Sequence, residues 1–127
     1  MKYIIDSNIW IEYFNKKNYF DSVSDLLINN EIYINKIILA ELIPSAKAKN
    51  EKEFIECLYG IELLELEIDW DEIIEIQYYC IKNGINKLGL LDIAIAQNAK
   101  QNSVGVFTIN RHMILLCNLI GIECKSS

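Results

Sequence analysis

Three carboxylates stand in this chain where ordinary solvated acids are not expected. Asp6 directly follows the apolar run Tyr3-Ile4-Ile5, at the carboxyl end of a candidate strand, which is where open α/β sheets bind their ligands. The same position suits a turn-forming aspartate ahead of a helix, and both uses stay open. Asp92 lies in Leu90-Leu91-Asp92-Ile93-Ala94-Ile95-Ala96, with Leu88, Ile95 and Ala96 at the positions that neighbour it on a helix. Its carboxylate is expected to project from an apolar face, where it must be paired, protonated or bound to metal. A first-turn acid facing the helix dipole is the alternative. Glu41 repeats the pattern inside Ile38-Leu39-Ala40-Glu41-Leu42-Ile43, and its alternatives are an edge position or a pairing with Lys36 or Lys49. A further segment, Phe107-Thr108-Ile109-Asn110-Arg111-His112, follows another candidate strand. Thr108 and Asn110 bring hydrogen-bonding groups there, although Asn110 is equally a good helix N-cap. His112 reads as a surface or partly packed imidazole.

The remaining acids take the bland reading. Glu51, Glu53 and Glu56, then Glu62, Glu65 and Glu67, alternate with apolar residues as solvated faces do, and Asp69, Asp71 and Glu72 suit a helix start.

The elements that must position these residues alternate in type. Strands are predicted over about 2–5, 31–34, 61–66, 104–107 and 121–124. Helices are predicted over about 8–14 with Ser7 as cap, 22–29 starting from Asp21, 36–48, 51–59, from the Asp69 cap to about 83, 90–102, and 111–118. Alternation of this kind calls for a mainly parallel sheet of four to five short strands covered on both faces, a three-layer α/β/α architecture.

With 127 residues, of which 52% are hydrophobic, residues 1–127 make one domain with an ample core. No apolar stretch approaches the ~20 residues of a membrane span, and the start of the chain has no signal-peptide pattern. A cytoplasmic protein is expected. Four cysteines without a C-x-x-C pair, and a single histidine, argue against zinc fingers and thiol redox centres and for buried, reduced thiols. The net charge of −6 argues against a sequence-independent nucleic-acid coat, whose affinity comes from neutralising phosphates. It does not argue against a nuclease, whose negative site is screened by bound metal.

Asp6-Ser7-Asn8 after a strand, Ala40-Glu41-Leu42 at mid-chain, the helix Leu91-Asp92-Ile93-Ala94-Ile95-Ala96 and the segment Phe107-Thr108-Ile109-Asn110-Arg111-His112 together resemble the PIN domain. Within that family they look most like VapC-type toxins of toxin–antitoxin pairs. Each motif is short; four in order, over essentially the whole chain, are fairly specific. The resemblance implies that Asp6, Glu41 and Asp92 match acidic metal-site positions, with Asn110 where a fourth acid often stands. Ser7 and Thr108 match supporting hydroxyls, Asn8 a frequent polar neighbour, and Met113 stands where an aromatic is common.

The activity implied is endoribonuclease cleavage of RNA phosphodiester bonds with Mg2+ or Mn2+. Hard divalent cations prefer such oxygen ligands and can both neutralise phosphate oxygens and generate a hydroxide at neutral pH. Asp6 and Asp92 are expected to bind metal directly, Glu41 to bind it or orient a water, Asn110 to fix that water or a phosphate oxygen, and Thr108 to support the site from behind the metal ligands. The missing fourth acid leaves occupancy of a second metal open. Substrate RNA would be cut in single-stranded or loop regions. Lys82, Lys87 and Arg111 flank the site in sequence, as phosphate contacts or as ordinary solvated cations.

An antitoxin partner is implied too. The segment 8–14 carries Ile9, Trp10, Ile11, Tyr13 and Phe14, with Tyr19 and Phe20 close behind, more apolar surface than one core-facing stripe needs. Burial in the core, a groove for an antitoxin segment and a homodimer interface are its three uses. Rival chemistries fare worse. A haloacid-dehalogenase-type phosphotransferase wants a second acid where Asn8 stands, and a response-regulator-like module wants another acid beside Asp6. A PIN fold with weakened catalysis, serving as an RNA- or protein-binding module, is the alternative that Asn110 keeps open.

Overall fold

The computed structural model describes residues 1–15 and 18–127. In chain order the elements are β1 (Tyr3–Ile5), α1 (Ser7–Asn15), α2 (Phe20–Ile28), β2 (Ile32–Ile34), α3 (Lys36–Ala48) and α4 (Lys52–Tyr59). They continue with β3 (Glu62–Leu63), α5 (Trp70–Lys82), α6 (Leu90–Gln101), β4 (Gly105–Phe107), α7 (Arg111–Ile120) and β5 (Cys124–Lys125). The sheet has the order β3-β2-β1-β4-β5 and every pairing is parallel. The fold is thus a three-layer α/β/α sandwich around a five-stranded parallel sheet.

β1 is central because its residues suit burial from both sides: Ile4 and Ile5 are fully buried. Beside it, β4 brings Gly105 against Tyr3, where an added Cβ would lie 2.6 Å from the tyrosine ring. A side chain at this position would have to displace that ring, so glycine suits the close pairing of the two central strands. From β1 the chain steps outward through β2 to β3, then returns past α5 and α6 to place β4 on the other side of β1. α1 packs on α3 and α3 on α4, while α5, α6 and α7 pack in series. Right-handed crossovers running in opposite directions require helices on opposite faces. The strand order therefore reverses between β1 and β4, and a crevice opens at their carboxyl ends.

Several boundaries differ from the sequence expectation. The third strand shrinks from 61–66 to Glu62–Leu63, because only these residues find ladder partners, on Tyr33 and Ile34. The last strand moves to Cys124–Lys125, since Gly121 first ends α7 in a left-handed conformation at φ 75°. Ser7 does not cap the first helix but begins it. Asp6 takes the cap position, its main-chain carbonyl receiving the N–H groups of Ile9 at 3.1 Å and Trp10 at 3.3 Å. The second helix starts at Phe20, ahead of Asp21. Asp69 does cap α5, accepting the Glu72 N–H at 3.2 Å.

Candidate functional site

Asp6 and Thr108 each follow the last residue of a central strand, and the register pairs those residues, Ile5 with Phe107. The Asp6 N–H carries the ladder one step further, donating to the Phe107 carbonyl at 2.8 Å. The two side chains are consequently neighbours at the strand-order reversal. Thr108 donates its hydroxyl proton to the Asp6 carboxylate at 2.8 Å. The Ser7 N–H donates to the other carboxylate oxygen at 2.9 Å, and the Asn8 amide reaches both Asp6 at 3.3 Å and Thr108 Oγ1 at 3.2 Å. Asp6 and Thr108 are buried. This side of the carboxylate is fixed before any ligand arrives.

Two helices bring like charges towards it. Asp92 raises the pKa of Asp6, and Asp6 and Asp92 together raise that of Glu41. For Asp6 the first cause is burial, which penalises the charged form; Asp92 adds to it, and the hydrogen bonds from Thr108, Ser7 and Asn8 pull the other way. For Glu41 burial again comes first, then Asp6 and Asp92, with a Ser7 side-chain hydrogen bond opposing them. Among the described residues no ion pair involves any of these three acids. Among the described residues, the three carboxylates thus share one field with no ion pair to offset it.

The local setting of each acid is more specific than the sequence suggested. Asp92 is not flanked by Leu88 on a helix, because α6 begins only at Leu90. Its carboxylate instead turns back to accept the Gly89 N–H at 3.0 Å, so the first-turn role is also present. Glu41 is exposed and, among the described residues, makes no ion pair with Lys36 or Lys49. Asn110 caps α7, its Oδ1 accepting from His112 N–H at 2.9 Å and Met113 N–H at 3.3 Å. With that oxygen committed, only the amide's donor end can serve a ligand. The Asn110 N–H also donates to Thr108 Oγ1 at 3.1 Å, so Asn110 reaches Asp6 through Thr108.

A hard divalent cation suits this donor set, which is all oxygen and carries uncompensated negative charge. As the side chains stand, however, no three Asp, Glu, His or Cys residues among those described are spaced to hold an ion. Sulfur is no substitute. The Cys117 thiol is pushed up to about 12, by burial first, then by Cys124 and Asp6, and so stays protonated.

Of the other candidates, Arg111 begins α7 beside Asn110, and Lys87 lies in the segment leading to α6; both are exposed. Lys82 is exposed near the end of α5, its ammonium 5.5 Å from the Tyr78 ring centre. His112 is half-buried, and its Nδ1 finds no hydrogen-bond partner among the described residues. Buried Met113 packs in the core. Sequence reasoning missed the buried amides Asn35, Gln97 and Asn98. A signal existed: Gln97-Asn98 interrupts an otherwise small and apolar helix.

A wholly parallel α/β sandwich with acids gathered where its strand order reverses is a recognisable class of site. The chain belongs to the PIN domain family, whose model matches residues 3–117. Members of that family are generally divalent-metal-dependent nucleases. Among solved structures, the chain is similar to VapBC2 from Rickettsia felis bound to a DNA fragment from their promoter, at 21% identity and a TM-score of 0.76, covering 98% of each chain. DNA-bound VapBC from Salmonella typhimurium is similar at 22% identity and a TM-score of 0.76, covering 98% of this chain and 97% of that one. FitAcB from Neisseria gonorrhoeae is similar at 20% identity and a TM-score of 0.72, covering 97% and 96%. No curated protein sequence matches significantly.

Proposed function

We propose that this protein is a metal-dependent endoribonuclease, the VapC-type toxin of a type II toxin–antitoxin pair. The observation that carries the reading is Asp6, a buried carboxylate at the strand-order reversal, held by three donors and faced by Asp92 and Glu41 rather than by a cation. Uncompensated burial of this kind is costly, so a bound positive charge is the natural counterpart. Mg2+ or Mn2+ bound there would neutralise phosphate oxygens and make water a usable nucleophile at neutral pH.

Asp6 and Asp92 are the residues assigned to hold the ion. Glu41, whose carboxyl is raised by burial and its acidic neighbours, is assigned to orient the attacking water and accept its proton. Thr108 and Asn8 keep the Asp6 carboxylate from rotating, and the Ser7 N–H holds its other oxygen. The donor end of Asn110 is assigned to a phosphate oxygen or the same water. Lys82, Lys87 and Arg111 are assigned to the RNA backbone.

The proposed antitoxin contact begins beside the site. A groove lined by Ile11, Leu42, Ala46 and Phe54, with Asn15, Ser45, Lys49 and Glu51 among them, has Glu41 in its wall, and Ile11 and Phe20 are 46% and 55% exposed. Trp10, by contrast, is fully buried, as is Ile9, so part of the apolar surface of α1 simply completes the core. A homodimer would use a second apolar strip along α5, where Trp70, Ile74, Tyr78 and Ile81 are exposed. A binding module with weakened catalysis is the second reading, favoured by Asn110 standing where an acid is common while its oxygen caps α7.

Incubating the purified protein with labelled single-stranded and structured RNA, in Mg2+, Mn2+ or EDTA, separates the two. Endonucleolytic products that need the metal support the nuclease. Retained, uncleaved RNA supports the module.

A further inference from the structure

A buried hydrogen bond joins the start of the helix that bears Glu41 to the helix that bears Asp92. Asn35 precedes α3 and caps it, its Oδ1 accepting the Ile38 N–H at 3.0 Å. Its Nδ2 donates to Asn98 Oδ1 on α6 at 3.0 Å, and Asn98 Nδ2 donates in turn to the Glu65 carbonyl at 3.0 Å. Asn35 is 0% and Asn98 2% exposed. The order of these bonds is forced. The capping oxygen must face Ile38, so the Asn35 amide must face the oxygen of Asn98, whose own amide is then left for Glu65.

We propose that Asn35 and Asn98 form a positioning pair that sets the separation of Glu41 and Asp92, and so the cation affinity of the site. The inference rests on the metal-dependent reading above. Each carboxylate stands six residues from its amide, Glu41 after Asn35 and Asp92 before Asn98, or about 9 Å of helix rise. Two rods pinned at that distance carry their acids through an arc if either turns or slides about the pin.

Apolar packing alone does not prevent such a slide. α3 packs on α1 and α4, whereas α6 packs on α5, α7 and β4, so the two helices share little direct packing. Apolar contacts are attractive but non-directional. The amide bond is directional, and breaking it leaves a buried donor or acceptor unmet. One placement of α6 relative to the start of α3 therefore satisfies the oxygen and the nitrogen of both amides. A purely structural filler would need only matching volume.

The test compares wild type with Asn35→Ser, Asn98→Ala and the double variant. Asn35→Ser keeps an oxygen to cap α3 but is too short to reach Asn98. Mn2+ binding to the RNA-free protein is measured by calorimetric titration, folding by circular dichroism and urea denaturation, and cleavage as separate kcat and KM. Each folded single variant is expected to bind Mn2+ about tenfold more weakly, the scale for losing a group that orients metal ligands. RNA cleavage should lose kcat with KM retained, and the double variant should be no worse than the weaker single one.

Folded variants with lowered stability but wild-type Mn2+ affinity and kcat overturn the proposal and leave the pair a structural one. Should Asn98→Ala fail to fold, the same two readouts on Asn35→Ser decide. Wild-type protein that binds no Mn2+ refutes the metal-dependent reading, and the inference with it. Wild type and variants binding equally refutes the inference alone.

Discussion

The two ends of α6 carry acidic clusters with opposite electrostatics. Near its C-terminus, Glu72 of α5 meets Lys100 at 2.8 Å and the Gln97 amide at 2.8 Å, and its carboxyl is held below the usual range, chiefly by Lys100 and then by Gln97. At the N-terminus, Asp92 faces Asp6 and Glu41, whose carboxyls are both pushed up by burial first; Asp92 then adds to the shift of Asp6, and Asp6 and Asp92 to that of Glu41. One end is satisfied and solvated. The other stores repulsion at a point where the backbone and Thr108 already hold one carboxylate still. Stability explains the first arrangement; the second fits the cation proposed for it.

The most severe way to break this contrast is Asp6→Asn. Loss of the central ligand is expected to reduce metal-dependent RNA cleavage by about 10³-fold, the kinetic equivalent of several kcal/mol of charge stabilisation. The variant should fold and melt no lower than wild type without metal. Gel assays and thermal denaturation in EDTA check both halves, and full cleavage by the variant sinks the assignment.

Metal itself should act only at the N-terminal cluster. Mn2+ at 100 times its Kd is expected to stabilise wild type by about 2.7 kcal/mol, read from urea denaturation. The gain should vanish in Asp6→Asn and persist in Lys100→Met.

Acidity should move the two ends oppositely in metal-free protein. Asp6 and Glu41 have raised carboxyls in the folded state, so they contribute stability below the ordinary carboxylate pKa. That contribution is lost as pH rises through the raised values. Glu72, with a lowered carboxyl, contributes above the ordinary value and loses it as pH falls through the lowered one. The pH profile of unfolding free energy in EDTA should therefore gain, in Asp6→Asn relative to wild type, stability on the neutral side. A profile parallel to wild type across that window would show that Asp6 is not raised.

The smallest effect belongs to Lys100→Met. Removing a pair whose partners are 45% and 30% exposed should cost less than about 1 kcal/mol and leave cleavage unchanged. A large loss of cleavage would mean that the C-terminal cluster is part of the site.

Much of this was legible before any coordinates. The run Tyr3-Ile4-Ile5 ahead of Asp6 could only be a buried strand with an acid at its end, and the alternation of strands with helices called for a parallel sheet. The third strand was overread because Ile61, Leu63, Leu64 and Leu66 carry the right pattern while only Glu62 and Leu63 find a neighbour to pair with. Ser7 was misread as a cap because Asp6 and Ser7 are both good capping residues, and only the path of the chain chooses between them. Asn110 was legible as a cap but not as a link to Asp6 through Thr108.

By itself, then, the sequence determined the element order, the core and the chemical kind of each candidate residue, because local periodicity and side-chain type are properties of short stretches. Tertiary structure alone decided which acids share a field, that Asp92 turns to Gly89, and that Asn35 reaches Asn98 across 63 positions of chain. Coulomb forces and hydrogen bonds depend on distance and direction in space, and a linear chain does not specify those until strand order and helix register are set.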